Sequence, residues 1–381
     1  MTDCWDSVIV GGGPAGCAAA YALAKRGHRV VIVDRRSFPR EKACAGGLTI
    51  KTLNRLPYSV APVIERVCRN VHLARNDERS VVGRSRRPTV AMTQRAMFDE
   101  FCMRRTLEAG AEFRKIGAVL GVHESTNEVQ LDTDQGPIHG RFLIGADGAA
   151  STIRRRIWSE ERQRSNGFGI EACLPCDRTE SHHVEFDFGV VDGGYGWVFP
   201  KRDHLNVGVY THSPDVRIDR RILLDYVSRR FPDRAAGDLE GVIGSPVGLA
   251  RPGGWPVTGR VTLVGDAAQV VDPLLGEGIY YALWSGQEAA AAVDRELNGH
   301  CRFTREMRRR GKAILSDLRS NWRLTKPFYS RPGLGYGVLS SFPIRTGLLA
   351  GFAKGWTISQ TKNRNLLVPF LRGAAPRALD L

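Results

Sequence analysis

The first apolar run, Trp5 to Val10, is short and continuous, as expected of a strand buried on both faces. Gly11-Gly12-Gly13-Pro14-Ala15-Gly16 interrupts it, and an Ala-rich stretch to about Arg26 predicts a helix. A second buried run, Arg29–Val33, closes on Asp34. Helical spacing returns over Ala96–Gly110, with Phe98, Phe101, Met103 and Leu107 as the expected buried face. Strands are expected at 112–122, 127–133 and 136–144; the last leads into Gly145-Ala146-Asp147-Gly148 and a helix over Ser151–Trp158. Between 168 and 212 the period falls to two, in His183–Phe188 and again in Tyr195–Phe199, which predicts antiparallel strands with Pro200 as a stop. A helix near 217–231, a buried strand Gly259–Val264, a long helix Ile279–Glu296 and a basic helix Phe303–Asn321 complete the pattern.

The strand–glycine loop–helix–strand unit over 5–34 carries chemistry. A helix that opens on such a loop presents free N–H groups and a positive dipole end to an anion. Gly11 allows the tight turn, Gly13 lets phosphate approach the backbone, and Gly16 lets helix and strand pack closely. Asp34, 18 residues past Gly16, is placed to accept from ribose hydroxyls. These features point to a dinucleotide.

Composition adds one thing to that picture. Hydrophobic content of 42% is ordinary for a globular protein, but the net charge of +15 is not. Residues 301–381 hold 16 Lys and Arg against 3 Asp and Glu, so this segment carries +13 of it. Trp322, Phe328, Tyr329, Tyr336, Phe342, Phe352, Trp356 and Phe370 are interleaved with those charges. Such a block suits an anionic membrane surface; the alternatives are aromatics packed on the fold under a solvated basic face, or a nucleic-acid partner, for which no recognised fold is present. No stretch is long and apolar enough to span a bilayer. The eight cysteines lack the spacing of a disulfide framework, and the chain enters a strand with no signal peptide before it. A cytoplasmic protein, peripheral to the inner face of the membrane, is expected. Cys173-Leu174-Pro175-Cys176 has no second ligand pair, so no metal site is expected.

The glycine loop with Asp34, the Gly145–Gly148 strand end and Val264-Gly265-Asp266 together resemble the glutathione-reductase/hydroxybenzoate-hydroxylase class of FAD proteins. Within it, Lys42-Ala43-Cys44-Ala45-Gly46-Gly47-Leu48, Tyr195-Gly196-Trp197-Val198-Phe199-Pro200-Lys201 and Gly265–Gly286 resemble the geranylgeranyl reductase family. Ala45 and Gln269 stand where that family usually has glycine.

The resemblance implies an α/β (α+β overall) fold: a Rossmann-like FAD-binding domain (1–60, 93–165, 258–300) interleaved with an antiparallel-sheet substrate domain (61–92, 166–257) and a helical C-terminal region (301–381). It implies FAD contacts from Gly11, Gly13, Pro14, Ala15, Gly16, Asp34 and Arg35, from Cys44, Ala45 and Gly46, and from Arg95 and Asp147. It adds Gly265, Asp266, Pro273, Gly276, Gly278 and Ile279 near the ribityl chain and flavin ring. Tyr195, Trp197 and Phe199 share one strand face and, with Gly46, either line an apolar substrate slot or pack the core. Cys44 is the candidate catalytic group, or a small buried hydrophobe. The implied reaction is hydrogenation of carbon–carbon double bonds in a long prenyl chain, with NADPH or another electron donor. A monooxygenase or halogenase on the same scaffold competes with it, as does a membrane-associated electron-transfer flavoprotein.

Overall fold

The computed structural model describes residues 4–76, 79–158, 167–176 and 183–363, and Phe370 with the rest of 364–381 lies outside them. Among the described residues the chain forms two compact units, each assembled from three separated segments. One comprises 1–40, 96–165 and 247–319; the other comprises 41–95, 166–246 and 320–381.

The first unit is built on the buried strands that the apolar runs predict. Cys4–Val10 lies between Val30–Asp34 and Gly136–Gly145 and is parallel to both, with Val8 opposite Val31 and Leu143. Val261–Leu263 extends the sheet on one side and Glu112–Lys115 on the other, again in parallel. Parallel strands covered by helices are buried on both faces, which is why Cys4–Val10 and Val30–Asp34 read as apolar runs, while the edge strand Glu112–Lys115 is charged and largely exposed. Helix Pro14–Ala24 packs against Ile279–Leu297; a Cβ on Gly286 would stand 2.2 Å from the Ala15 carbonyl oxygen, so the two backbones nearly touch.

The expected strand 112–122 is instead two: Glu112–Lys115 joins the parallel sheet, and Val119–Glu124 turns away to pair with Val129–Thr133. Leu107 is 40% exposed, because the inward stripe of helix Arg95–Glu108 runs through Phe98, Cys102 and Thr106. Each residue turns the helix by about 100°, so Leu107 swings off that stripe.

The second unit holds a seven-stranded, mostly antiparallel sheet. Its central strands are Gly167–Pro175, His204–Thr211, Gly194–Pro200 and Val184–Phe188, in that spatial order. Helix Arg220–Arg230 covers one face through Leu223, Tyr226 and Val227, packed with Ile170, Val198 and Val207. Residues 41–60, expected in the FAD-binding part, fall in this unit because Gly47–Thr49 pairs with Val90–Met92. The basic helix runs on to Ser330, and three further helices, Pro332–Ser340, Phe342–Ala353 and Ile358–Asn363, follow it. Leu349 packs at Gly83, and Gly333 lies against Arg75, which ties the first two to the sheet edge.

One departure from the family pattern has a backbone cost. Gln269 ends the turn Gly265–Ala268 in the left-handed conformation, at φ 56°. Only glycine adopts that conformation freely, and other residues are strained there by roughly 1–2 kcal/mol. Gln269→Gly is expected to be more stable than Gln269→Ala by about 1 kcal/mol, a comparison that removes the side chain from both. Equal midpoints in chemical denaturation would show that position 269 relaxes.

Candidate functional site

In the first unit, three distant stretches converge on the start of helix Pro14–Ala24. The Ala146 carbonyl lies 2.4 Å from where a Gly11 Cβ would stand, and a Gly265 Cβ would stand 2.9 Å from that of Ala15. A Cβ on Gly16 would meet the Gly11 carbonyl oxygen at 1.9 Å, so only glycine lets this turn close. Asp34 Oδ2 accepts from Gly12 N–H at 2.7 Å, and Oδ1 accepts from Arg36 N–H at 2.9 Å. Its carboxylate braces the glycine loop and still has lone pairs free for hydroxyl donors. Arg35 is exposed beside it.

Asp266 lies where Gly278 begins the long helix: a Gly278 Cβ would stand 3.7 Å from Asp266 Oδ1. The intervening loop is closed by Gly276 N–H donating to the Asp272 carbonyl at 2.9 Å, and Pro273 is buried within it. Gly265, Asp266, Pro273, Gly276, Gly278 and Ile279 thus form one local cluster in this unit. Asp147 is committed elsewhere. It accepts from the Ser151 hydroxyl and from the N–H groups of Thr152 and Ile153, so it caps helix Thr152–Ile157. Burial pushes its carboxyl above the usual range despite those bonds.

A flavin dinucleotide fits the glycine loop on two grounds. Gly13 faces an open cradle: within 4 Å of its would-be Cβ only the Arg40 guanidinium appears among the described residues, at 3.6 Å. Arg40 Nη2 pairs with buried Asp99 at 3.4 Å, while its buried Nε makes no hydrogen bond among the described residues. A cation with a spare donor beside a helix N-terminus suits a pyrophosphate. Sequence reasoning passed over Arg40; its place six residues beyond Asp34, in a charged loop, was the available signal.

Cys44, Ala45, Gly46 and Arg95 belong to the second unit, as do Tyr195, Trp197 and Phe199. Gly46 has φ 65°, and a Cβ there would strike the Thr93 carbonyl oxygen at 2.0 Å and crowd Lys201 Nζ at 2.8 Å. Lys201 donates to the Ala45 carbonyl at 2.6 Å and the Thr93 carbonyl at 2.8 Å. Its ammonium is buried, which pushes its pKa down to about 8, against the opposing pull of Cys44, Glu65 and Glu171. Glu171 Oε1 accepts from Cys44 N–H at 2.8 Å; burial raises its pKa, while Lys201 and Arg95 act to lower it. Lys201 and Glu171 were not singled out as site residues, because a Lys after a strand and a Glu within one look like surface positions. Tyr195, Trp197 and Phe199 are aligned on one strand face, with Phe186 beside Tyr195 and Phe199 at centroid distances of 5.4 Å. Tyr195 and Trp197 are buried, and Phe199 is half-buried. Among the described residues no three His, Cys, Asp or Glu side chains are grouped as a metal site, and none of the eight cysteines forms a disulfide.

Residues 5–174 match the FAD binding domain family. Over 318 residues the chain is 30% identical to a digeranylgeranylglycerophospholipid reductase of Methanopyrus kandleri, covering 75% of this chain and 79% of that one. It is 33% identical over 311 residues to a menaquinone reductase of Mycolicibacterium smegmatis, covering 75% of each. Among solved structures, a geranylgeranyl bacteriochlorophyll reductase-like protein of Thermoplasma acidophilum superposes with a TM-score of 0.78 at 20% identity, over 96% of this chain and 99% of that one. A flavin-dependent brominase shares the fold at TM-score 0.68 and 18% identity, over 94% of this chain and 98% of that one.

Arg40 provides a direct test of the cofactor loop. Arg40→Leu, made with Asp99→Asn so that no buried carboxylate is left unpaired, is expected to weaken FAD binding by about 1.5–3 kcal/mol, roughly 10- to 150-fold. Calorimetric titration of the flavin-free variant with FAD reads this out; wild-type affinity would remove Arg40 from the site.

Proposed function

Because the chain belongs to the geranylgeranyl reductase family of FAD-dependent oxidoreductases, we propose that it hydrogenates carbon–carbon double bonds in a long isoprenoid chain, with NADPH or another donor as reductant. The observation that carries this reading is the aromatic face of Tyr195, Trp197 and Phe199 in the same unit as the Cys44–Gly46 loop. An isoprenoid chain offers no polar handle along its length, so its recognition rests on apolar and aromatic surface. FAD, when bound and reduced, supplies a hydride for one alkene carbon. An unactivated alkene develops no oxyanion to stabilise, so the protein's contribution is chiefly orientation and exclusion of water. The rings on this strand do both. The proton for the second carbon we assign to Cys44 Sγ, which accepts from Gly46 N–H at 3.4 Å.

The C-terminal helices support a peripheral approach to membrane lipid. Segment 320–363 contains six Lys and Arg and no Asp or Glu. Trp322, Leu324, Leu334, Val338 and Phe342 are 42–68% exposed there, and exposed Arg323, Lys326 and Arg331 are interspersed with them. Tyr329 and Tyr336 instead pack inward. No helix among the described residues is long and apolar enough to cross a membrane. Exposed rings and cations on one segment suit an anionic headgroup layer.

Anaerobic enzyme reduced with dithionite and given a polyprenyl lipid is expected to yield product heavier by one pair of hydrogens per saturated bond, read by mass spectrometry. No hydrogenated product under these conditions, with oxygen or halogen entering the lipid only when air and halide are supplied, would select a monooxygenase or halogenase instead. Binding to liposomes is expected to rise with anionic lipid and to fall with salt, each cation near the surface contributing about 1 kcal/mol. Indifference to anionic liposomes at low salt would make these helices part of the fold alone.

A further inference from the structure

Trp197 does not simply lie among other rings. The pairing register puts Glu171, Gly208 and Trp197 in one row across three adjacent strands, with Glu171 opposite Gly208 and Gly208 opposite Trp197. Directly opposed residues share a face of the sheet. A Cβ on Gly208 would stand 2.1 Å from Trp197 Cζ2, so the indole lies across the strand that only a glycine leaves bare. The far edge of the ring reaches the next strand, where a Gly169 Cβ would be 3.8 Å from Trp197 Cη2. Asn206, two residues from Gly208 and on the same face, receives the indole proton: Trp197 Nε1–H donates to Asn206 Oδ1 at 2.7 Å. Asn206 and Glu171 lie on the same face of adjacent strands, where the Asn206 side chain acts to hold the Glu171 carboxyl pKa down against its burial, and Glu171 Oε1 accepts from Cys44 N–H at 2.8 Å. Lys201 closes the other side of the loop through the Ala45 and Thr93 carbonyls.

We propose that Asn206 and Glu171 are positioning residues whose hydrogen bonds tie the indole of Trp197 to the Cys44–Gly46 loop, holding the aromatic wall and the loop as one piece. Its bearing on substrate rests on the reading of that wall as the prenyl-binding surface. Trp197, Asn206 and Glu171 are exposed by only 7%, 6% and 7%, so their bonds form away from competing water. A strand does not need a buried carboxylate to pack, and burying one is costly unless it is hydrogen-bonded and compensated. Here the bonds are directed at the loop that carries Cys44, and the compensating charges are Lys201 and Arg95.

The test uses the flavin-loaded protein and two readouts. The first is the rate of Cys44 alkylation by iodoacetamide, followed by mass spectrometry, with Cys176, likewise half-buried, as internal control. Glu171→Leu and Asn206→Leu are expected to speed Cys44 alkylation severalfold and leave Cys176 unchanged. Glu171→Gln, which keeps the shape and an acceptor oxygen, is expected to behave as wild type. The second is the KM for geranylgeranyl diphosphate with dithionite as reductant. Asn206→Leu and Trp197→Phe are each expected to raise it about tenfold with little change in kcat, and the double variant no further, since both cut the same link. The proposal is overturned if Asn206→Leu leaves Cys44 at the wild-type rate, if Cys176 accelerates equally, if Glu171→Gln matches Glu171→Leu, or if the two KM effects multiply. Wild-type protein inactive on every prenyl probe would end the functional reading, and the alkylation arm would still decide this one.

Discussion

The close approach of backbone to backbone around the N-terminus of helix Pro14–Ala24 is the constraint on which the first unit depends. Gly11 receives the Ala146 carbonyl, Ala15 receives Gly265, and the Ala15 carbonyl receives Gly286. Side chains at these glycines would push the helix off the sheet and the late Gly-Asp turn off the helix. With those contacts made, Gly13 at the helix start faces an open cradle that suits an anion, Asp34 braces the loop through Gly12 N–H, and Arg40 supplies a cation. The same packing brings Asp266 to the start of the long helix at Gly278, although they are reached from Asp34 only after more than half the chain.

The second unit solves a different problem, that of keeping charge inside an aromatic sheet face. Lys201 and Glu171 are both buried, and each is satisfied by the backbone of the loop 44–46 or its neighbour Thr93. Leaving either group without its partners would cost more than the bonds themselves return, so the loop is held firmly by the very groups that are expensive to bury. In the proposed hydrogenation no oxyanion develops, so a firm loop would matter for placing the reacting carbons. On the opposite side of the sheet, Leu223, Tyr226 and Val227 form an apolar core, and the buried Glu185 on that face is paired with Arg230 of the covering helix.

The C-terminal segment divides its residues between these demands. Tyr329 packs at 4.9 Å against His212 and Phe328 edge-on at 5.2 Å against Phe188, so part of the aromatic content covers the sheet. Phe342 and Leu334 remain 68% and 63% exposed, with no acidic residue in 320–363 to balance its cations. The interleaving of rings and charges that drew attention in the sequence is therefore two patterns: one directed to the core and one to the surface.

The sequence by itself determined the elements whose signal is local. Continuous apolar runs marked the parallel strands, because both faces of those strands are buried; the glycine spacing marked the phosphate loop, because a turn needs its glycines at fixed positions. Alternation marked Tyr195–Phe199 and its pairing strand. Leu107 was misjudged because a helical period leaves a 100° ambiguity that only the neighbouring sheet resolves. Arg40, Lys201, Glu171 and Asn206 carry no local pattern: a charged residue reads as solvated until its partners are known, and those partners lie up to 156 residues away. Asp147, which the family resemblance implies as a cofactor contact, also accepts from the first N–H groups of the helix that follows it. Tertiary structure alone decided these, because a buried hydrogen bond is a property of two distant groups and the chain between them records neither.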